Sequence, residues 1–270
     1  MIWQSGGRAS DTGHDMEQAL DKSRYIVGMR VDGSDYEKTV PRILSLAQGN
    51  CGAYVCVATV HMVMEAYDDP QFRSIVNGSD IVTSDGMPLV WGLRMLGVKD
   101  AQRVYGPDLT LFVCEQAAHE GIPLGFYGGS PPVLDRLLDR LRSRYPRLRI
   151  AYCCSPPFRE LSAEEKEHIL QAIRESGAKI LFIGLGCPKQ ERWMAEHKEK
   201  IEAVMIGVGA AFDFIAASKP KAPHWIQMAG LEWLFRLGTE PRRLWKRYLY
   251  QNPRFLYYFT LQLLRSKEHR

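Results

Sequence analysis

Short, almost wholly apolar runs that stop at glycine or at small polar residues recur along the chain, and stretches with helical spacing of apolar positions separate them. Residues 25–31, 54–58, 79–83, 123–127, 148–152, 179–183 and 204–208 read as strands. Runs without polar alternation belong to strands covered on both faces, and helices between them imply parallel pairing. The spacing predicts helices near 35–47, 62–66, 70–76, 88–96 and 131–144, another ending near His119, and one over 162–176. Ser162 with Glu165 three residues on forms a capping box for the last of these. The expected fold class is α/β, a Rossmann-like, mostly parallel sheet flanked by helices over residues 25–218. Residues 1–24 show no periodicity and are expected to be a mobile tail.

From Lys219 the pattern changes, because Pro220 and Pro223 break the α/β rhythm and no strand-like run follows. Residues 231–270 carry nine basic residues against three acidic ones, an excess larger than the +4 of the whole chain. Trp233, Phe235, Trp245, Tyr248, Tyr250, Phe255, Tyr257, Tyr258 and Phe259 are interleaved with them. The most apolar part, 255–264, is about half the ~20 residues a spanning helix needs. A basic, aromatic, amphipathic segment of this length fits an interfacial membrane anchor, so 219–270 is expected to be a helical, membrane-associating appendage. A helical cap packed on the sheet is the competing reading. Single-stranded nucleic acid also suits basic residues and rings, but the charge is confined to one appendage, and no nucleic-acid partner is expected.

Composition adds little beyond this. With 270 residues, 46% of them hydrophobic, the chain can hold one large α/β domain. Six cysteines form no Cys-x-x-Cys pair and read as buried thiols in a reducing compartment. The first 24 residues contain no apolar stretch typical of a signal peptide, which leads to an expectation of cytoplasmic location.

In parallel sheets, ligands sit beyond the carboxyl ends of the strands, and that is where the candidate residues lie. The run 180–183 is followed by Gly184-Leu185-Gly186-Cys187-Pro188, with Pro188 placed to begin a helix beside Lys189, Gln190 and Glu191. This arrangement suits a phosphate, or equally a helix that packs near a strand. Asp85, in a Ser-Asp-Gly turn, is the candidate base, with helix capping as the alternative role. Thr59 and His61 lie two apart and share a face if the backbone is extended. Arg243 and Arg247 are one turn apart on a helix that starts near Pro241, with Arg242 beside them. No Asp-x-Asp pair and no His/Cys cluster offers a divalent metal a ligand set, so a leaving diphosphate would need arginine, lysine and backbone amides.

Taken together, Val57-Ala58-Thr59-Val60-His61, Ser84-Asp85-Gly86-Met87-Pro88-Leu89-Val90-Trp91, Arg103-Val104-Tyr105-Gly106-Pro107-Asp108-Leu109, Gly184 through Glu191, Gly207-Val208-Gly209-Ala210-Ala211-Phe212-Asp213 and Gly230-Leu231-Glu232-Trp233-Leu234 resemble the WecG/TagA/CpsF glycosyltransferases, glycosyltransferase family 26. The six blocks occur in order between about residues 25 and 250. The resemblance implies inverting transfer, without a metal or cofactor, from a UDP-sugar to a polyprenyl-diphosphate-linked saccharide at the cytoplasmic face of a bacterial membrane.

By the same resemblance, Asp85 is the general base, Thr59 lies near acceptor and donor sugar, and Gln190 and Glu191 line the donor pocket beside Lys189. The C-terminal arginines would meet membrane and diphosphate. His61 stands where many members carry asparagine, so imidazole would replace an amide near the donor sugar. Tyr127, Gly128, Gly129, Gly209 and Asp213 complete the expected substrate-binding set, with amides near Gly128, Gly129 and Gly209 receiving the UDP. A homo-oligomer is left open. Two other classes compete: a nucleotide-dependent oxidoreductase or sugar epimerase that uses Gly207-Val208-Gly209 as a dinucleotide turn, and a non-catalytic lipid-binding adaptor.

Overall fold

The computed structural model describes residues 22–49 and 51–268. Most of the predicted tail, residues 1–21, lies outside the described residues. Six strands form one parallel sheet: β3 (Ala53–Ala58), β4 (Ile81–Ser84), β5 (Leu124–Gly128), β6 (Ile150–Cys154), β7 (Ile180–Gly184) and β8 (Val204–Gly207), in the order β4-β3-β8-β7-β5-β6. All their pairings are parallel.

The apolar runs lack polar alternation because helices cover both faces of the sheet. Tyr54, Cys56 and Ala58 of β3 point into one core with α2 (Val60–Asp68), α3 (Pro70–Asn77), α4 (Met87–Met95), α7 (Ala163–Ser176) and α8 (Lys189–His197). Val55 and Val57 point into the other, with α1 (Tyr36–Gln48), α5 (Gly106–Glu120), α6 (Pro131–Arg144) and α9 (Ala211–Ile215). The capping box at Ser162 and Glu165 is formed in both directions.

The stretch 25–31 is not a strand of this sheet. It folds into a separate hairpin of β1 (Arg24–Ile26) and β2 (Met29–Val31), because Val27 and Gly28 both take left-handed conformations, with φ of 52° and 83°. Two successive residues of that kind turn the chain back on itself. The hairpin then shields the edge strand β4: Asp32 donates its amide to Val82 O at 2.9 Å and accepts the Val82 amide on Oδ2 at 2.8 Å. The cysteines also depart from expectation. Cys56 and Cys114 are buried, whereas Cys51 and Cys153 are exposed. Cys153 is exposed because β6 is the outer strand beyond β5, so its outward side chains have little cover.

The chain leaves β3 toward one face, through α2, and leaves neighbouring β8 toward the other, through α9. A rim between adjacent strands whose connections diverge opens into a crevice, the usual ligand position in such sheets. After α9 come α10 (His224–Met228), α11 (Glu232–Thr239) and the long α12 (Pro241–Glu268). Leu244, Phe255 and Phe259 on α12 are buried, and Phe259 packs against Gly92. The C-terminal helix is therefore part of the core on one side, while no helix among the described residues is long and apolar enough to cross a membrane.

Candidate active site

Asp85 follows directly on β4, and its amide donates to Ala58 O at 2.9 Å, which fixes it against the end of β3. Its carboxylate does not cap the next helix. Gly86 occupies the cap position of α4 and no side chain bonds there. Instead the carboxylate faces Gly106, where a side chain would meet both Asp85 Oδ2 and Val208 O at 3.7 Å. Asp85 thus sits beside the β8 end, at the divergent rim.

Arg103 holds this carboxylate. Its Nη2 donates to Asp85 Oδ1 at 3.1 Å and to Glu232 Oε2 at 2.6 Å, its Nη1 to Gln227 Oε1 at 3.3 Å, and its Nε to the Asp85 carbonyl. The guanidinium lies 4.3 Å from the Tyr105 ring centroid. Burial pushes Asp85 up to about 6, against the pull of Arg103 and with added repulsion from Glu232. A group that titrates near 6 is ionised at neutral pH and still basic enough to accept a proton in a transition state. Arg103, Gln227 and Glu232 were outside the sequence-derived site. The signal was one arginine next to buried Val104 and Tyr105 in the loop that leads into α5, a place where an ion pair is the usual reason for a charge.

Thr59 and His61 do not share an extended face, because α2 begins between them. Thr59 is the N-cap of α2, with Oγ1 3.5 Å from the Met62 amide, and His61 lies in the first turn. The His61 ring bonds Gln251 Oε1 at 2.7 Å, and Gln251 donates onward to Glu65 Oε1 at 3.0 Å. Burial first, then the nearby Arg247, lowers the His61 pKa, so the imidazole is neutral at neutral pH.

The Pro-Lys-Gln-Glu block joins two strand ends. Gln190 Oε1 accepts the amides of Gly186 and Gly209, both at 3.1 Å, and its Nε2 donates to Glu191 Oε1 at 2.7 Å. Gly207 leaves the space this needs, since a Cβ there would lie 2.8 Å from Met194 Cε and 3.0 Å from Gln190 Nε2. Glu191 is fully buried and its carboxyl is pushed up to about 7 by that burial, with Gln190 opposing. Lys189 is exposed at the start of α8, and Pro188 occupies the cap position before it. The Gly209 amide is therefore engaged by Gln190, and the Gly129 amide by Gly184 O at 3.2 Å. The amides expected to receive a diphosphate there already have partners inside the protein.

Tyr127 is buried and packs against Trp193, with ring centroids 4.9 Å apart and the planes tilted by 32°. Gly128 must be glycine: at φ 123° its backbone lies against Gly184, and a Cβ would fall 2.6 Å from Gly184 C. Asp213 faces Lys219, 3.6 Å away, at the start of the appendage.

Among the arginines of α12, Arg242 is exposed and Arg243 pairs with Glu240 at 2.6 Å. Arg247 is half-buried, near Cys187 and His61. Burial lowers its pKa, as does repulsion from Arg243 and Arg236. Arg236, on α11, lies 5.3 Å from the Phe214 ring centroid, and its buried Nε has no hydrogen-bond partner among the described residues. The two guanidinium groups thus repel one another under partial burial, and one buried donor is left unmatched.

A sequence model of the Glycosyl transferase WecG/TagA/CpsF family matches residues 24–269. The chain belongs to that family. It is a glycosyltransferase, and the family's activity lies in cell-surface polymer synthesis, with a nucleotide-sugar donor and a lipid-linked acceptor. The family match spans the sheet, the Asp85–Arg103 pair and the appendage together.

Proposed function

We propose that this glycosyltransferase moves a hexose or N-acetylhexosamine from a UDP-sugar to a polyprenyl-diphosphate-linked saccharide, with inversion. Asp85 accepts the proton of the acceptor hydroxyl while that oxygen bonds to the anomeric carbon. The bond between that carbon and the UDP oxygen breaks, and UDP leaves with the electron pair on the opposite face. Arg247 and Arg236 receive the charge that develops on the diphosphate. This role falls to guanidinium groups more than to the Gly129 and Gly209 amides, which are already engaged. With cations supplied by the chain, turnover is expected to persist in excess chelator.

The observation that carries the reading is the Asp85 carboxyl itself, raised by burial and held at a divergent strand rim by Arg103. Because Arg103 also grips Glu232 and Gln227, the base is assembled only when the appendage is docked.

The appendage also supports work at the cytoplasmic membrane surface. Trp245, Leu249, Tyr250, Leu256, Tyr257 and Leu264 are exposed on α12, and their spacing places them on one side of the helix. Rings and leucines on one face with arginines alongside suit the headgroup region.

The direct test is Asp85→Asn, measured with a UDP-sugar and a short-chain prenyl-diphosphate saccharide. Transfer is expected to fall by roughly 10²–10⁴-fold, the usual contribution of a general base. UDP affinity should change by no more than about threefold, well under the tenfold that 1.4 kcal/mol would produce. Near-normal turnover would remove Asp85 from the role.

A further inference from the structure

A second cavity lies away from the Asp85 rim, where the β1–β2 hairpin, α2, α3 and the end of α12 meet. It is an open pocket of about 540 Å³, and Arg73 and Arg265 line it together with Tyr67, Tyr258, Gly28 and Gln262. Among the described residues neither arginine is in an ion pair, although Arg254 on the same helix is paired twice with Asp68. The one nearby carboxylate in that pairing is therefore occupied. Tyr67 and Tyr258 also line it, with ring centroids 4.2 Å apart.

The wall is built, not incidental. Val27, a β-branched residue, is held at φ 52°, a left-handed conformation that such residues rarely adopt. Gln262 holds it there: its Oε1 accepts the Val27 amide at 2.7 Å and its Nε2 donates to Tyr25 O at 2.6 Å. The turn brings Gly28 against the Arg73 side chain, where a Cβ would stand 3.5 Å from Nη1.

Position selects the ligand. Arg265 adjoins Leu264 on α12, and Leu264, Tyr257 and Leu256 are each more than half exposed along the same helix. An anion bound between Arg73 and Arg265 would lie at the edge of an apolar helix face, so it would be the phosphate of a molecule whose apolar part lies beside that face. We infer that this cavity takes the phosphate headgroup of an anionic phospholipid, a site distinct from the one that takes the sugar donor. The inference rests on the membrane-facing reading of α12. Its function is to orient the protein: one fixed headgroup contact at the far end of α12 sets the rotation of the helix on the surface, and with it the direction in which the Asp85 rim faces.

The test is co-sedimentation of the full chain with vesicles of phosphatidylcholine alone and with 30% phosphatidylglycerol, about a third anionic lipid. Wild type should favour the anionic vesicles, and Arg73→Gln with Arg265→Gln should lose about thirtyfold of that affinity, the effect of two guanidinium contacts. Lys166→Gln with Lys200→Gln, the same charge change at exposed positions outside this cavity, should lose less than about threefold. Turnover on a water-soluble acceptor should be unchanged in both.

Equal losses from the two pairs, or no loss from the arginine pair, would overturn the headgroup site while leaving the membrane reading intact. Binding of inorganic phosphate that depends on Arg73 and Arg265 and abolishes the vesicle preference at equal concentration would reassign the site to free phosphate. Failure of wild type to bind either vesicle would overturn the inference and the membrane reading together, whereas the Asp85 chemistry is read separately on the soluble acceptor.

Discussion

Asp85 and Glu191 are both carboxyls raised by burial, yet their neighbours give them different work. Asp85 has a guanidinium on one oxygen and a side chain 17% exposed, so its proton can pass to and from a substrate. Glu191 is fully buried behind Gln190, and titrates inside the protein. The folded chain holds the Glu191 proton up to about pH 7, whereas the unfolded chain releases it near 4.5. The folded state therefore binds more protons across that window, and stability falls as pH rises through it. Between pH 6 and 8 this amounts to about 1 kcal/mol, or about 2–4 °C in Tm for a chain of this size. Glu191→Gln has no such titration. Its melting temperature, followed by circular dichroism, should fall less than that of wild type by about that margin, and an identical pH dependence would show that Glu191 does not titrate there.

At the scale of elements, the strands of the sheet were legible because burial on both faces leaves uninterrupted apolar runs such as Tyr54–Ala58 and Ile180–Ile183. Local signals also carried the capping box at Ser162 and the last turn into α8. Local reading failed where conformation depended on a distant partner. The run 25–31 is strand-like on both sides of Gly28, and the left-handed turn at Val27 that makes it a hairpin is anchored by Gln262, 235 residues away. Thr59 and His61 looked extended because Val60 and Val57 favour strands, but Thr59 caps α2. The site was half visible for the same reason. Asp85 stands at a strand end that the pattern marks, whereas Arg103, Gln227, Glu232 and Arg236 come together only through the docking of α10 and α11 on the rim.

For the whole molecule, α12 serves both sides of a boundary. Its inner face is core, with Leu244, Phe255 and Phe259 buried, so removing everything after Lys219 would expose the sheet's covering. A cleaner separation of membrane contact from folding uses the outer face. Leu249 and Leu256 are about 60% exposed, at 60% and 62%. Leu249→Glu with Leu256→Glu should leave the melting temperature within a few degrees, as surface changes usually do. Vesicle affinity should fall on the order of a hundredfold, since two leucines no longer enter the apolar layer. Undiminished vesicle binding by this variant would place the membrane contact elsewhere.

In the proposed reaction the base is one partly buried aspartate, tuned between Arg103 and Glu232. The pH dependence of kcat/KM, measured for wild type and Glu232→Gln on a soluble acceptor, tests it most directly. Wild type should lose activity below an apparent pKa of about 6, because the protonated carboxyl accepts no proton. In Glu232→Gln the repulsive carboxylate is gone and Arg103 has one anion fewer to share, so Asp85 ionises more readily and the acid limb should move to lower pH. An acid limb that stays in place, or moves upward, would contradict the account.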